Sequence, residues 1–218
     1  MTDRTEIVAE IERTGVVAIV RSDSADPLIE IVDALQAGGL TCIEITMTTP
    51  GTLEAIAAAS QRFAGRCAIG VGTVLDPETA RAAILAGATF VVSPIVDEPT
   101  IRLCRRYSVA SIPGAFTPTE IVRAWQAGAD VVKVFPATKL GPSFFKDMRG
   151  PLPQIKLTPT GGVSVENAGA FIRAGAVAVG VGSALIGKDA VQAGDFATLT
   201  ARAKAFLDAV ADARDEAG

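Results

Sequence analysis

Histidine is absent from the 218 residues. A Ser–His or Cys–His nucleophile is therefore impossible. A zinc or iron site would have to be built from carboxylates or scattered cysteines alone, against the usual ligand sets of these metals. Neither a metal nor a cofactor is expected. Proton transfer near neutral pH falls to Glu, Asp, Lys, Tyr, Cys or water. Cysteine is scarce too. Cys42, Cys67 and Cys104 are odd in number, widely spaced and set among apolar residues, which reads as three buried, reduced thiols rather than a disulfide or a metal site. No run of 18 apolar residues occurs, so no membrane span is expected. A net charge of −4 offers nothing to a nucleic acid or an anionic membrane. The opening Met1-Thr2-Asp3-Arg4-Thr5-Glu6 lacks an apolar signal core, so the expected compartment is the cytoplasm.

What the chain does contain is apolar residues, at 49%, with charged residues at 20%, ordinary values for a globular protein. Nearly continuous Val/Ile/Ala runs fall at 16–20, 41–46, 68–71, 89–93, 109–112, 131–135, 156–159 and 177–181. Such runs suit parallel strands covered on both faces. Helical patterns lie between them, for example at 27–37, 77–86, 118–127 and 165–174. Asp76-Pro77 and Thr117-Pro118 put a capping residue before a proline at the first helical position, and Thr117 with Glu120 forms a capping box. Glycines at Gly38-Gly39, Gly87, Gly128 and Gly175 mark helix stops. Eight strand–helix units in about 200 residues predict an α/β chain folded as a (β/α)8 TIM barrel, one domain over 1–218. Ile7, Val8 and Ile11 share one face of an additional N-terminal helix, packed outside the barrel or across its bottom. The Ala-rich stretch 207–218 should finish a helix and then fray.

In such barrels chemistry gathers at the C-terminal ends of the strands. Those ends here carry Arg21, Glu44 to Thr48, Gly72-Thr73, Ser93-Pro94, Pro113-Gly114, Lys133 to Pro136, Thr160-Gly161-Gly162 and Gly182-Ser183. Lys133 lies within Val131-Val132-Lys133-Val134-Phe135. Burial favours a neutral amine, the form that attacks a carbonyl. The plainer alternative is a strand-edge lysine whose ammonium reaches water. Glu44 is the one acidic residue inside a strand core. It is either a proton shuttle for an amine-bound intermediate or half of a structural ion pair with Lys133. Glycines after strands seven and eight, at Gly161, Gly162 and Gly182 with Ser183, would offer backbone N–H groups to an anion where phosphate sites recur in this fold. A bare Gly-Gly is otherwise just a turn. The prolines at 94, 113, 136 and 159 terminate strands and together line a rigid mouth.

These residues resemble a family, the bacterial 2-keto-3-deoxy-6-phosphogluconate (KDPG) aldolases, which also act on 4-hydroxy-2-oxoglutarate. The resemblance is carried by Ala37-Gly38-Gly39 with Ile43-Glu44-Ile45-Thr46, Gly70-Val71-Gly72-Thr73-Val74, Val92-Ser93-Pro94, Pro113-Gly114, Val132-Lys133-Val134-Phe135-Pro136-Ala137, Pro159-Thr160-Gly161-Gly162-Val163 and Val181-Gly182-Ser183. They span nearly the whole chain. The resemblance implies a Schiff-base lysine at Lys133 and a general acid/base at Glu44. It implies Thr73 on the pyruvyl carboxylate, with Pro94, Phe135 and Thr160 lining the pocket. It implies Gly161, Gly162, Gly182 and Ser183 around the substrate phosphate. It further implies a homotrimer that cleaves the phosphorylated 2-keto-3-deoxy sugar acid to pyruvate and glyceraldehyde 3-phosphate.

One stretch departs from the pattern. Many members carry a Thr-Leu-Arg-Thr run whose arginine binds the pyruvyl carboxylate; here Thr46-Met47-Thr48-Thr49 puts Thr48 in that place. Arg21, shared with the galactonate-type branch, stands after the neighbouring strand and is the candidate replacement, its alternatives being a solvated surface arginine or one that binds the substrate phosphate or hydroxyls. Both C4 epimers of the sugar acid stay open, as does a non-catalytic phosphate-binding barrel, against which Lys133 and Glu44 together argue.

Overall fold

The computed structural model describes residues 3–24 and 26–216. Met1 and Thr2 of the charged leader, and Ala217 and Gly218 of the expected C-terminal fray, lie outside them. The elements run α1 (Arg4–Thr14), β1 (Val16–Val20), α2 (Leu28–Ala37), β2 (Cys42–Thr46), α3 (Thr52–Arg62), β3 (Ala68–Gly72), α4 (Pro77–Leu85), β4 (Phe90–Val92), α5 (Glu98–Arg106), β5 (Ala110–Ile112), β6 (Gly114–Ala115), α6 (Pro118–Ala127), β7 (Val132–Val134), α7 (Gly141–Arg149), β8 (Leu157–Pro159), α8 (Val165–Arg173), β9 (Val179–Val181), α9 (Lys188–Gln192) and α10 (Phe196–Asp215). This is an α/β fold with a curled parallel sheet and helices around it. One sheet is ordered β5-β4-β3-β2-β1-β9, and a second is ordered β6-β7-β8.

The two sheets meet at both ends. β5 runs into β6 through Pro113, which has no N–H for the ladder but whose carbonyl accepts from Lys133 N at 2.9 Å. The sequence places a strand end at Pro113-Gly114; in the structure pairing resumes beyond the proline, Gly114 opposite Lys133. At the other end Thr160 bridges Gly180, and Val177 N donates to Leu157 O at 2.9 Å.

Side chains alternate between the two faces of each strand. The outward set packs under the helices in a core that includes Ile43, Ile45, Val71, Val134 and Val181. The inward set of the lowest layer is Val17, Cys42, Ala68, Phe90, Ala110, Val131 and Ala178, and α1 lays Ile7, Val8 and Ile11 against it. Burying each of these three side chains contributes about 1.5–3 kcal/mol. α1 thus spans the bottom of the curl, and the layer above it along the strands holds Glu44, Gly70 and Lys133.

The local signals explain the helix ends. Asp76 Oδ1 accepts from Thr79 N at 2.6 Å, and Thr117 and Glu120 form the capping box. Gly39, Gly87, Gly128 and Gly175 take left-handed φ values; in the Gly38-Gly39 pair only the second does so. Gly38 serves a close approach instead, since a Cβ there would lie 2.6 Å from Ala203 Cβ of α10. Cys42 and Cys104 are buried and Cys67 is half-buried, all three free. Burial pushes the Cys42 thiol up to about 12. No described helix is long and apolar enough to cross a membrane.

Candidate active site

β2 and β7 bring Glu44 and Lys133 to the concave face of the curl, at 2% and 7% exposure. So little water reaches either group that each must be stabilised by what surrounds it. Lys133 is held by strand pairing on both sides, opposite Gly114 of β6 and Thr158 of β8. Its ammonium lies 5.0 Å from the centroid of the Phe135 ring, within cation–π range. Glu44 pairs in register with Ile19 of β1 and Gly70 of β3. Burial raises its carboxyl above the usual glutamate range, while the charges of Lys133 and Arg21 pull in the opposite direction. The snorkelling alternative for Lys133 therefore fails on exposure. No ion pair closes between Lys133 and Glu44; they act on each other through space.

Space for these groups comes from glycine. A Cβ on Gly72 would lie 1.6 Å from Glu44 Oε1. A Cβ on Gly180 would lie 2.3 Å from Thr160 Oγ1, and one on Gly114 would lie 2.4 Å from the backbone of Pro94. Three-dimensionally these glycines are the hollows into which Glu44, Thr160 and Pro94 fit.

Thr73 follows β3 with φ 60, a left-handed value on a β-branched residue. Such a conformation persists only where the surroundings over-determine it, and it concentrates at ligand sites. Met47 N to Gly72 O at 2.8 Å and Val74 N to Val92 O at 3.2 Å hold the segment on both sides. No sequence signal announced this strain.

Arg21 leaves the top of β1 exposed to solvent, yet its charge is felt at Glu44. The loop behind it is fastened to the turn after β2 by Ser22 N donating to Thr49 Oγ1 at 3.1 Å. In that turn the Thr46 and Thr48 hydroxyls share a 2.9 Å hydrogen bond, and Thr52 Oγ1 donates to Thr46 O at 2.8 Å and Thr49 O at 2.6 Å. Arg21 and Thr48 therefore belong to one stapled pair of loops.

Gly161 and Gly162, with φ 93 and 72, turn the chain after β8. The sequence suggests backbone donors to an anion after strands seven and eight; in the structure neither glycine stretch is itself the first turn of a helix. α8 begins beyond the glycines and closes its own first turn with Ser164 and Asn167. After Gly182-Ser183 comes a tight turn, Leu185 N and Ile186 N donating to Gly182 O at 2.9 and 2.8 Å, before the short α9.

Elsewhere, a cavity of about 570 Å³ at the opposite end of the strands is lined by Glu12, Arg149, Lys156 and Arg214 among others. Two of its cations are already engaged, Lys156 with Glu12 and Arg214 with the carbonyls of Glu12, Arg13 and Val177. It is remote from Lys133. Among the described residues no three Cys, Asp or Glu side chains gather as metal ligands would.

Residues 7–202 match the model of the KDPG and KHG aldolase family. A 2-dehydro-3-deoxy-phosphogluconate aldolase of Treponema pallidum is 35% identical over 205 residues, covering 94% of this chain and 97% of that protein. A 2-dehydro-3-deoxy-6-phosphogalactonate aldolase of Escherichia coli is 33% identical, covering 90% and 95%. A crystal structure of KDPG aldolase from Legionella pneumophila, with pyruvate captured as a covalent carbinolamine intermediate, superposes with a TM-score of 0.83 at 26% identity, covering 91% of this chain and 97% of that one.

Proposed function

The chain belongs to the KDPG and KHG aldolase family, and from that premise we propose that it is a Schiff-base lyase cleaving 2-keto-3-deoxy-6-phosphogluconate into pyruvate and glyceraldehyde 3-phosphate. The observation that carries the reading is the burial of one amine and one carboxylate, Lys133 and Glu44, in a single layer of the concave face. Lys133 Nζ attacks the C2 carbonyl, and loss of water from the carbinolamine leaves an iminium. Glu44 removes the C4 hydroxyl proton as the C3–C4 bond breaks, its electron pair passing into the iminium to give an enamine. The aldehyde departs. A proton returned to C3 gives the pyruvate iminium, and water releases pyruvate and the free amine. A carboxyl raised by burial is suited to taking and returning that proton near neutral pH.

The remaining residues divide by what the substrate presents. The strained Thr73, with Thr48 and Arg21, serves the pyruvyl carboxylate. Pro94, Phe135 and Thr160 wall the pocket. Gly161, Gly162, Gly182 and Ser183 serve the phosphate. The joins at Pro113 and at Thr160–Gly180 support a closed (β/α)8 TIM barrel, one domain over 1–218, with α1 as the additional helix. A homotrimer is the proposed assembly; Leu75, Ile95 and Phe116, exposed on successive loops, are apolar surface that self-association would cover. The cytoplasm is the proposed compartment. The 6-phosphogalactonate epimer is the second substrate reading. It is favoured by the stapling of the Arg21 loop to the Thr48 turn, which puts the cation on the first strand rather than the second.

Incubation with pyruvate and borohydride, followed by peptide mapping, tests the reading. The adduct is expected on Lys133 and is lost in a folded Lys133→Met protein. An adduct on Lys139, Lys146 or Lys156 contradicts it.

A further inference from the structure

The turn at Gly161-Gly162 is gripped by one side chain and faced by another. Asn167 grips it, Nδ2 donating to Gly162 O at 2.8 Å while Oδ1 accepts from Ser164 N at 2.9 Å. Thr138 faces it: a Cβ on Gly162 would lie 2.9 Å from Thr138 Oγ1 and 3.1 Å from its Cγ2. A Cβ on Gly161 would lie 3.5 Å from the same oxygen. Glycine at 162 thus leaves room for Thr138 as well as permitting the left-handed turn.

Thr138 belongs to the 3-10 turn Ala137–Lys139 that follows β7, the strand of Lys133. This turn is tied to the end of β8 by Ala137 N donating to Thr160 O at 2.8 Å, and Leu140 N closes it onto Ala137 O at 3.1 Å. Its position is therefore set by the strands that bear the amine and the glycine turn. Thr138 itself is exposed, and among the described residues its hydroxyl takes no part in a hydrogen bond. A hydroxyl can rotate to donate wherever an acceptor arrives, and a phosphoryl oxygen accepts a charge-assisted bond stronger than a neutral one.

We propose that Thr138 is a further substrate-binding residue, its hydroxyl donating to the phosphoryl group seated at the Gly161-Gly162 turn and biasing the site toward phosphorylated 2-oxo acids. The assignment rests on the aldolase reading above. It is independent of Arg21 and of which C4 epimer is cleaved, because the contact lies at the phosphate end.

Two substitutions separate the hydroxyl from the methyl group that packs on Gly162. Thr138→Val keeps the shape and removes the donor; Thr138→Ser keeps the donor and removes the methyl. Steady-state cleavage is measured for 2-keto-3-deoxy-6-phosphogluconate and for unphosphorylated 4-hydroxy-2-oxoglutarate. Thr138→Val is expected to raise KM for the phosphorylated substrate about tenfold more than for the other, and Thr138→Ser to hold that ratio within about threefold of wild type. The proposal is overturned if Thr138→Val shifts both KM values alike, if it shifts neither, or if Thr138→Ser is as impaired as Thr138→Val. Wild-type protein that forms no pyruvate adduct with borohydride overturns the aldolase reading and this assignment with it; an adduct with an unchanged KM ratio overturns this assignment alone.

Discussion

The carboxylate of Glu44 occupies the volume that a side chain at residue 72 would need, a Cβ on Gly72 lying only 1.6 Å from Oε1. The two residues are on adjacent strands, Thr46 opposite Gly72 in the ladder, so the hollow is a product of register as well as of residue choice. A methyl group placed there must displace the carboxylate, since backbone on both sides is held by the sheet.

Gly72→Ala should therefore behave as a variant of Glu44. Both Gly72→Ala and Glu44→Gln are expected to slow solvent exchange of the pyruvate methyl protons by about 10²–10⁴-fold, the usual loss for a positioned acid/base. Borohydride trapping at Lys133 should survive in both. Proton exchange at the wild-type rate in Gly72→Ala would show that the hollow does not position the base.

Glu44 also carries a pH signature in stability. Burial raises its carboxyl above its ordinary 4.5, with Lys133 and Arg21 opposing. The folded protein then holds a proton that the unfolded chain has already released. Through the window from the ordinary value to the raised one, stability falls as pH rises. Glu44→Gln lacks this titration. Denaturant unfolding from about pH 4 to about pH 8 should show the variant gaining on wild type as pH increases. A relative gain by wild type would mean that the neighbouring cations outweigh burial.

Arg21 is expected to hold the pyruvyl carboxylate that Thr48 cannot hold with charge. Charge-assisted bonds are worth about 1.5–3 kcal/mol, so Arg21→Ala should weaken pyruvate capture by roughly one to two orders of magnitude. Adding Thr48→Arg should restore part of it, because Ser22 N and Thr49 Oγ1 bind the two loops together. Capture by Arg21→Ala as efficient as wild type would free Arg21 from this role.

Much of this was legible in the sequence because the relevant signals are local. Continuous apolar runs give buried parallel strands, Asp76 and Thr117 announce helix starts, and Lys133 and Glu44 stand out as charges in apolar strands. What was not legible depends on partners distant in the chain. Nothing local marks Gly70, Gly72 and Gly180 as hollows, although a Cβ on each would meet Phe90, Glu44 or Thr160. Pro113 reads as a strand end because proline removes a donor, but its carbonyl still serves β7. Thr73 is a poor candidate for left-handed backbone by residue type. Thr138 looks like an ordinary surface threonine until the turn after β8 is folded beside it.

The inward layer beneath Glu44 and Lys133 should be sensitive to α1. Ile11 is 1% exposed at the centre of that contact. Ile11→Ala is expected to lower unfolding free energy by about 2–5 kcal/mol, measured in urea. A loss below about 1 kcal/mol would mean that α1 rests on the sheet without supporting it.

With α1 seated across the strand starts, the lower end of the curl beneath Lys133 is stoppered by Ile7, Val8 and Ile11. On the aldolase reading a substrate would enter, and its fragments leave, past the upper ends of the strands. Of the two fragments, the one joined to the amine stays until water releases it. Release would then be sequential by the chemistry of the iminium: aldehyde first, pyruvate second. In the direction of synthesis the queue reverses, and pyruvate must be in place before the aldehyde can be received.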